Sequence, residues 1–230
     1  MTDREVVLQL PFTGRWQVQM SPARRVPSHG TDLMGSRYAI DFVGVDERHR
    51  LAAVSDWRTY LGTEPPDRFF AFGRSVLAPC SGNVVAVHDG EPDHEARRSP
   101  LTLLGYALTQ GARVRAGIPA IAGNYLTIAD EASGAFITLV HLRRGSLRVD
   151  AGASVQAGQV LAECGNSGNS TSPCVHVQAT DRTDFRSAVA VPLTFRSFRA
   201  WHTRAASTTH HLAVPDEGSV VEPLPHTVTG

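Results

Sequence analysis

The sequence predicts an all-β protein, built on a compact antiparallel sheet that forms an open, barrel-like core with a short helical insertion. Two observations lead to this prediction. Short runs rich in β-branched residues recur along the chain and are separated by Gly, Pro, Asn and Asp, which is typical of strands joined by tight turns. Hydrophobic residues make up 42% of the 230 residues, an ordinary fraction for a globular protein with a core.

The strand-like runs follow one another from the N-terminus to about residue 180. They are VVLQL, YAIDFVGV, NVVAVHD, NYLTIAD, AFITLVHL, SLRV and CVHVQA. Residues 149–161 carry Gly152 and Gly158 at repeated turn positions. Together with residues 77–87, this segment predicts paired hairpins in a turn-rich sheet.

The remaining segments define the predicted domain organisation. Residues 93–116 include Leu101, Leu104 and Leu108 at helical spacing, which predicts a helical insertion between two strands. Residues 205–230 mix Pro, Thr, Ser and Glu without periodicity and are predicted to form a flexible tail. We therefore expect a lead-in strand in residues 1–25 and one domain over residues 26–204.

Composition excludes several classes of function. The 22 basic and 22 acidic residues balance, so no bulk field favours nucleic acid. All 22 basic residues are arginine, which excludes every function that needs lysine, including lipoyl or biotinyl attachment. No apolar run approaches the ~18 residues of a membrane span. The start, MTDREVVLQLPF, lacks the apolar region of a secretory signal, so the expected location is the cytoplasm, or the cell wall if the start is truncated.

The first candidate site lies in residues 165–178, GNSGNSTSPCVHVQ. Alternate residues of a strand face the same side, so Cys174 and His176 are expected to project together. A thiol and an imidazole on one face form half of a metal site. The alternative is a pair of partly buried side chains without a ligand.

Two further segments carry candidate residues. His29 lies in a Gly-rich loop, and Asp41 lies within an apolar strand whose neighbours Ile40 and Phe42 face the opposite side. The Asp41 carboxylate therefore either faces solvent or has a partner. His141 lies in a strongly apolar run, where a buried core histidine is the alternative to a catalytic one.

The order of these motifs is more specific than any one of them. His29 and Asp41 precede APCSGNV at residues 78–84, VHL at residues 140–142, the segment 149–161 and GNSGNSTSPCVH at residues 165–176. This order resembles the lysostaphin/LytM-type zinc metallopeptidases, which cut peptide cross-links in bacterial cell wall. The resemblance covers about residues 26–180 and implies the fold of those peptidases.

The resemblance also implies roles for individual residues. Zn²⁺ would be bound by His29, Asp41 and His176, with water in the fourth position, and the substrate would be a peptide or a peptidoglycan stem or cross-bridge. Three protein ligands and a water are typical of a catalytic zinc site. His141 would act on the water or stabilise the oxyanion of the reaction.

The sequence departs from the family pattern at two places. The spacing from His29 to Asp41 is longer than the usual His-x-x-x-Asp, which makes Asp32 a competing ligand. Cys174 stands where the family motif P-H-x-H has its first histidine, which acts beside the residue matching His141. We therefore expect a zinc site with weak or absent peptidase activity.

Several alternatives follow from Cys174. With a neutral thiol, the site would stay open and the enzyme would be slow. A thiolate bound to the metal would close the site. If the substitution is engineered, the protein would otherwise be active. A non-catalytic LytM-like binding or regulatory protein is the main alternative function. A thiol hydrolase with Cys174 as nucleophile and His141 as base is disfavoured, since no helix start flanks the thiol.

Two other groups of residues complete the candidates. Cys80 and Cys164 have no C-x-x-C spacing and are expected to be buried free thiols. The polar cluster Asp89, Asp93, His94 and Glu95 could bind a second ion or form a solvated acidic loop.

Overall fold

The computed structural model describes residues 5–103, 115 and 117–225, and strands dominate this part of the chain. The strands are β1 (Val6–Leu8), β2 (Trp16–Gln19), β3 (Ile40–Gly44), β4 (Ser75–Leu77), β5 (Gly82–His88), β6 (Asn124–Asp130), β7 (Phe136–Leu142), β8 (Ser154–Val155), β9 (Val160–Glu163), β10 (Val175–Thr180), β11 (Leu193–Trp201), β12 (Ser207–Ala213) and β13 (Val220–Pro223). The all-β prediction is confirmed.

Most strands join one large sheet in the order β1-β11-β13-β2-β3-β10-β7-β6-β5-β8, with β12 also paired to β11. Neighbouring strands are antiparallel, apart from the parallel pair of β1 with β11. Among the described strands β1 and β8 end this order without pairing with each other, so the sheet is open. The consequence for the site is that β2, β3, β10 and β7 lie side by side at its centre.

The two segments predicted as paired hairpins do pair, but with each other. β4 pairs with β9 in a separate two-stranded sheet, and β5 pairs with β8. Residues 146–149, SLRV, were predicted as a strand, yet they have no strand structure.

Short helical segments interrupt the strands. They are α1 (Trp57–Leu61), α2 (Ile118–Ala122) and two 3-10 turns, Leu33–Gly35 and Pro66–Arg68. Of the predicted helical insertion at 93–116, residues 104–114 and 116 lie outside the described residues. Residues 100–103 are helical, whereas residues 93–99 are not, because Ala96 forms a bridge to Glu64 instead. Within the described residues, no helix combines the length and hydropathy that crossing a bilayer requires.

An aromatic cluster ties both ends of the chain into the core. Phe12 stacks on Trp16 with ring centroids 4.5 Å apart, and its ring lies edge-on to Phe42 at 5.0 Å. Phe42 in turn meets Phe195 of β11 at 5.5 Å. All four side chains are fully buried, so the N-terminal and C-terminal strands share one hydrophobic core with β3.

The structure corrects most of the predicted tail, of which residues 226–230 lie outside the described residues. Residues 207–213 form β12 and residues 220–223 form β13, both paired with β11, and Val220 and Val221 are buried. The sequence did not show this, since β12 is an edge strand with mostly exposed residues and therefore lacks an apolar alternation. β11 was not predicted either, although its nine residues pair with three other strands.

Candidate metal centre

Sheet register places Asp41 and His176 side by side. Asp41 of β3 lies directly opposite His176 of β10, and its Oδ1 is 2.8 Å from the Nδ1 of that ring. Ile40 and Phe42 are fully buried on the other face of β3, as their alternation predicts. The carboxylate therefore has an imidazole partner instead of solvent alone.

His29 reaches the same carboxylate from a loop. Its Nε2 lies 3.1 Å from Asp41 Oδ2, and its ring meets the His176 ring edge-on at 4.8 Å between centroids. One ligand atom from each of His29, Asp41 and His176 can be chosen such that all three lie within 4.8 Å of one another. Residues 135 positions apart in sequence thus form one cluster of possible metal ligands.

The second ring nitrogen of each of these histidines also has a hydrogen-bond partner. The Nδ1 of His29 is 3.0 Å from Ser28 Oγ, and the Nε2 of His176 is 3.0 Å from Gln178 Oε1. Ser28 and Gln178 are buried. Neither residue was among the sequence candidates, although Gln178 lies two residues after His176 and so shares its strand face.

The electrostatics of the cluster follow from its geometry. Burial by itself would raise the pKa of Asp41, but the facing rings of His29 and His176 outweigh burial and hold the pKa well below its usual range. Burial likewise lowers the pKa of His29, and Asp41 reverses that effect, so the net pKa is raised. The site therefore presents a carboxylate anion to its two histidines.

His141 reaches the groove through an unusual backbone conformation. Val140 lies opposite His176, so strand alternation alone would send His141 to the other face of the sheet. The backbone of His141 has a φ of 65°, and both Val140 and His141 line the groove described below. A non-glycine residue at positive φ is uncommon and costs free energy, and such strain clusters at functional sites.

The ring of His141 is oriented by a buried carbonyl. Its Nδ1 donates to the Ser167 carbonyl oxygen at 2.9 Å, which leaves Nε2 without a proton in the neutral ring. Burial lowers the pKa of His141 to about 4, with His176 as the next cause. His141 is therefore a neutral base at pH 7, with its ring centroid 6.1 Å from that of His176.

The loop that carries Ser167 is itself braced. Ser167 Oγ donates to the Leu142 carbonyl at 2.8 Å, and Asp93 Oδ1 accepts the backbone N–H of Asn166 at 2.6 Å. His94 Nε2 lies 2.9 Å from the Gly168 carbonyl. These contacts fix the acceptor of His141, and they are contributions that the sequence prediction missed.

The same contacts account for the acidic cluster at residues 89–95. Asp89 accepts the backbone N–H of Gly145, Asp93 accepts those of Asn166 and Arg144, and Glu95 contacts the Thr63 hydroxyl. In the part of the chain that the structure describes, the cluster of possible metal ligands comprises His29, Asp41 and His176 and includes none of residues 89–95. Their geometry supports a bracing role for the loops beside His141.

Cys174 lies in the groove but outside the ligand cluster. It lines the same cavity as His141 and His176, in agreement with the predicted shared face. Its thiol is buried, and burial, followed by the nearby Asp41 charge, raises its pKa well above the usual range. The thiol is not among the clustered ligand atoms, and a buried, protonated thiol matches the first alternative, the neutral thiol, better than an activated nucleophile.

The competing ligand Asp32 is engaged elsewhere. Its carboxylate forms a two-pronged ion pair with Arg37 at 2.9 and 2.8 Å on the protein surface.

Cys80 and Cys164 are buried free thiols, as expected, and burial raises the pKa of both.

A groove of about 600 Å³ opens above the cluster. The residues around it that the structure describes include no arginine or glutamate, and Asp41 is the only acidic side chain among them. Apolar side chains form much of its wall. They include Met20, Leu33, Met34, Ile118, Ile121 and Phe185.

The donor set fits zinc. Two imidazoles and one carboxylate are ligand types that zinc binds, and their ligand atoms lie within 4.8 Å of one another. Three protein ligands would leave open the position that a catalytic zinc site needs, and the Cys174 thiol is not among the clustered ligand atoms. Fold and site together define an all-β protein with a His/Asp/His centre in a largely apolar groove.

Comparison with known proteins agrees with this description. Residues 106–186 match the model of peptidase family M23, a segment that holds His141, Cys174 and His176. The resemblance to lysostaphin- and LytM-type peptidases is thereby confirmed. No curated protein matches the chain.

Solved structures show weaker similarity. The catalytic domain of lysostaphin from Staphylococcus simulans is 15% identical, with a TM-score of 0.39 over 77% of this chain and 88% of that one. A mutant catalytic domain of the prophage-encoded M23 protein EnpA from Enterococcus faecalis is 19% identical, with a TM-score of 0.37 over 67% and 73%. A zinc-containing peptidase from Vibrio cholerae is 17% identical, with a TM-score of 0.33 over 66% and 48%.

Proposed function

We propose that the chain is a zinc metallopeptidase-like protein that acts on peptide bonds of the stems or cross-bridges of peptidoglycan, with activity that is weak or absent because Cys174 replaces a catalytic histidine. The observation that carries this proposal is the convergence of His29, Asp41 and His176 beside a neutral His141. The family M23 match to residues 106–186 supports it.

The chemistry assigns separate tasks to these residues. His29, Asp41 and His176 would hold the metal, which when bound supplies Lewis acidity for polarising a carbonyl and activating water. His141 keeps an unprotonated Nε2 on the groove side because its Nδ1 is bound to Ser167. That nitrogen can accept a proton from the attacking water and return it to the leaving amine.

The groove favours a neutral substrate. None of the described lining residues is an arginine, and Asp41 is the only acidic side chain among them. Asp41 belongs to the cluster of possible metal ligands. Leu33, Met34, Ile121 and Phe185 offer apolar contacts to uncharged side chains. We therefore expect cleavage or binding of uncharged peptide segments in preference to charged ones, as competition between matched peptides would show.

The first test is the zinc content of the purified chain after mild dialysis. We expect close to one zinc per chain, lost in His176→Ala, which removes a ligand. Asp32→Ala is the matched control, because that carboxylate is paired with Arg37 outside the cluster, and it should retain the metal. Absence of zinc from the unmodified chain would contradict the proposal.

A second candidate function rests on Cys174. A buried thiol with a raised pKa supplies no general base, which favours a non-catalytic LytM-like binding or regulatory protein with a degenerate site. In that case, partner or cell-wall binding would not depend on His29 or Asp41. Pull-down on purified peptidoglycan with His29→Ala and Asp41→Ala distinguishes the two functions.

A further inference from the structure

Gln178 determines which nitrogen of His176 carries the proton. The Gln178 side chain donates through Nε2 to the Met34 carbonyl oxygen at 2.8 Å, and that oxygen can only accept. Its Oε1 therefore faces the His176 ring, 3.0 Å from Nε2. An amide oxygen accepts a hydrogen bond, so the ring must donate from Nε2, and a neutral ring then has a bare Nδ1.

Ser28 sets the opposite tautomer in His29. The Ser28 hydroxyl donates to the Ala39 carbonyl at 2.7 Å, and its other close oxygen, the Ser36 carbonyl at 3.3 Å, is also an acceptor. The single hydroxyl proton is thus used, and Ser28 Oγ accepts from Nδ1 of His29 at 3.0 Å. The neutral His29 ring then has a bare Nε2.

Both bare nitrogens point at the same anion. His176 Nδ1 is 2.8 Å from Asp41 Oδ1, and His29 Nε2 is 3.1 Å from Asp41 Oδ2. In neutral rings these contacts bring acceptors against acceptors. A divalent cation between the three groups satisfies all of them at once, while the buried Ser28 and Gln178 keep the lone pairs in place.

We propose that Ser28 and Gln178 are positioning residues that fix the histidine tautomers, such that a divalent metal is bound by Nε2 of His29 and Nδ1 of His176. The inference rests on the proposed zinc function and adds how the site is preset. Without the acceptor of Gln178, His176 can place its proton on Nδ1 and donate it to Asp41. That internal hydrogen bond competes with the metal for both ligands.

The main test measures zinc affinity by competition with a chromophoric chelator. Gln178→Met keeps the size of the side chain but removes the acceptor, and we expect about 10–100-fold weaker zinc binding, as found when an outer partner of a ligand is lost. Ser28→Ala should weaken binding to a similar degree. Gln178→Glu retains an acceptor oxygen for His176 but loses the donor to the Met34 carbonyl, so its zinc affinity should lie between those of Gln178→Met and the unmodified chain.

A matched control separates positioning from stability. Gln17→Met changes a half-buried strand glutamine that does not line the groove, and it should leave zinc affinity unchanged. Equal affinities for Gln178→Met, Ser28→Ala and this control would overturn the inference while leaving the zinc function intact. No zinc binding by the unmodified chain would overturn both.

The unmodified protein provides a second readout that needs no variant. With ¹⁵N-labelled histidine and bound zinc, long-range correlation spectra identify the metal-bound and the protonated nitrogen of each ring. We expect a protonated Nε2 on His176 and a protonated Nδ1 on His29. The reverse assignment in either ring would refute the role of its partner, whatever the variants do.

Discussion

Cys174→His tests whether a missing base limits activity. The side chain at this position lies in the groove with His141 and His176, and its thiol is buried and neutral. An imidazole here would be buried, as His141 is, and burial favours the neutral form of the ring. The substitution therefore adds the second base that the resemblance implies at this position.

The expected gain follows from the size of the effect of one general base. Such a group contributes about 10²–10⁴ in rate, or about 3–5 kcal/mol of barrier. Because His141 is already present, we expect the lower half of that range, about 10²–10³ in kcat/KM. The larger ring at a buried position should cost about 1–3 kcal/mol of stability, which thermal unfolding will measure.

The assay combines release of soluble fragments from purified cell wall with chromatography of a synthetic cross-bridge peptide. Cys174→Ser is the control, since it is small and neutral and should give no gain. Adding His141→Asn to Cys174→His should remove the gain in kcat/KM, because only the histidine introduced at position 174 then remains as a base. If Cys174→His is folded and holds one zinc but equals Cys174→Ser, the reasoning is refuted.

Three further predictions follow from the same contacts. Asp41→Asn removes the anion between the two rings and should weaken zinc binding by at least about 100-fold, more than the loss of an outer partner; retention of the metal on the same chelator assay would contradict the ligand assignment. In His141→Asn, the asparagine can keep a donor to Ser167 and tolerates positive φ. The variant should not show the decrease in the free energy of unfolding that the unmodified chain undergoes between pH 6.5 and about 4. The sign follows from the lowered pKa: the buried ring is neutral, so its contribution is complete above pH 6.5 and falls by about 3 kcal/mol as the pH drops through that window, as paired urea titrations will show. Glu64→Gln should lower the free energy of unfolding in urea by roughly 2–3 kcal/mol, because the fully buried carboxylate loses its charge opposite Arg98, which lies at 2.6 and 2.7 Å. A decrease below about 0.5 kcal/mol would mean that this ion pair adds little to stability.

The sequence by itself determined the class of fold and most of the candidate residues. Strand alternation is local, so the opposite facing of Asp41 and Ile40 and the shared face of Cys174 and His176 could be predicted from spacing. The order of motifs led to the peptidase resemblance, which the family match confirms. Local alternation could not choose between Asp32 and Asp41, because that choice depends on which carboxylate the strand register brings to His176.

Tertiary structure decided what depends on distant partners. The positive φ of His141 is stabilised by the braced Ser167 loop, and no local pattern in its strand predicts that the ring turns into the groove. The strands in residues 207–223 exist because β11 supplies their hydrogen bonds, a pairing that composition does not encode. Hydrogen-bond partners such as Ser28 and Gln178 become identifiable only when folding brings carbonyl acceptors from other segments against them, and that non-local constraint sets the chemistry of the site.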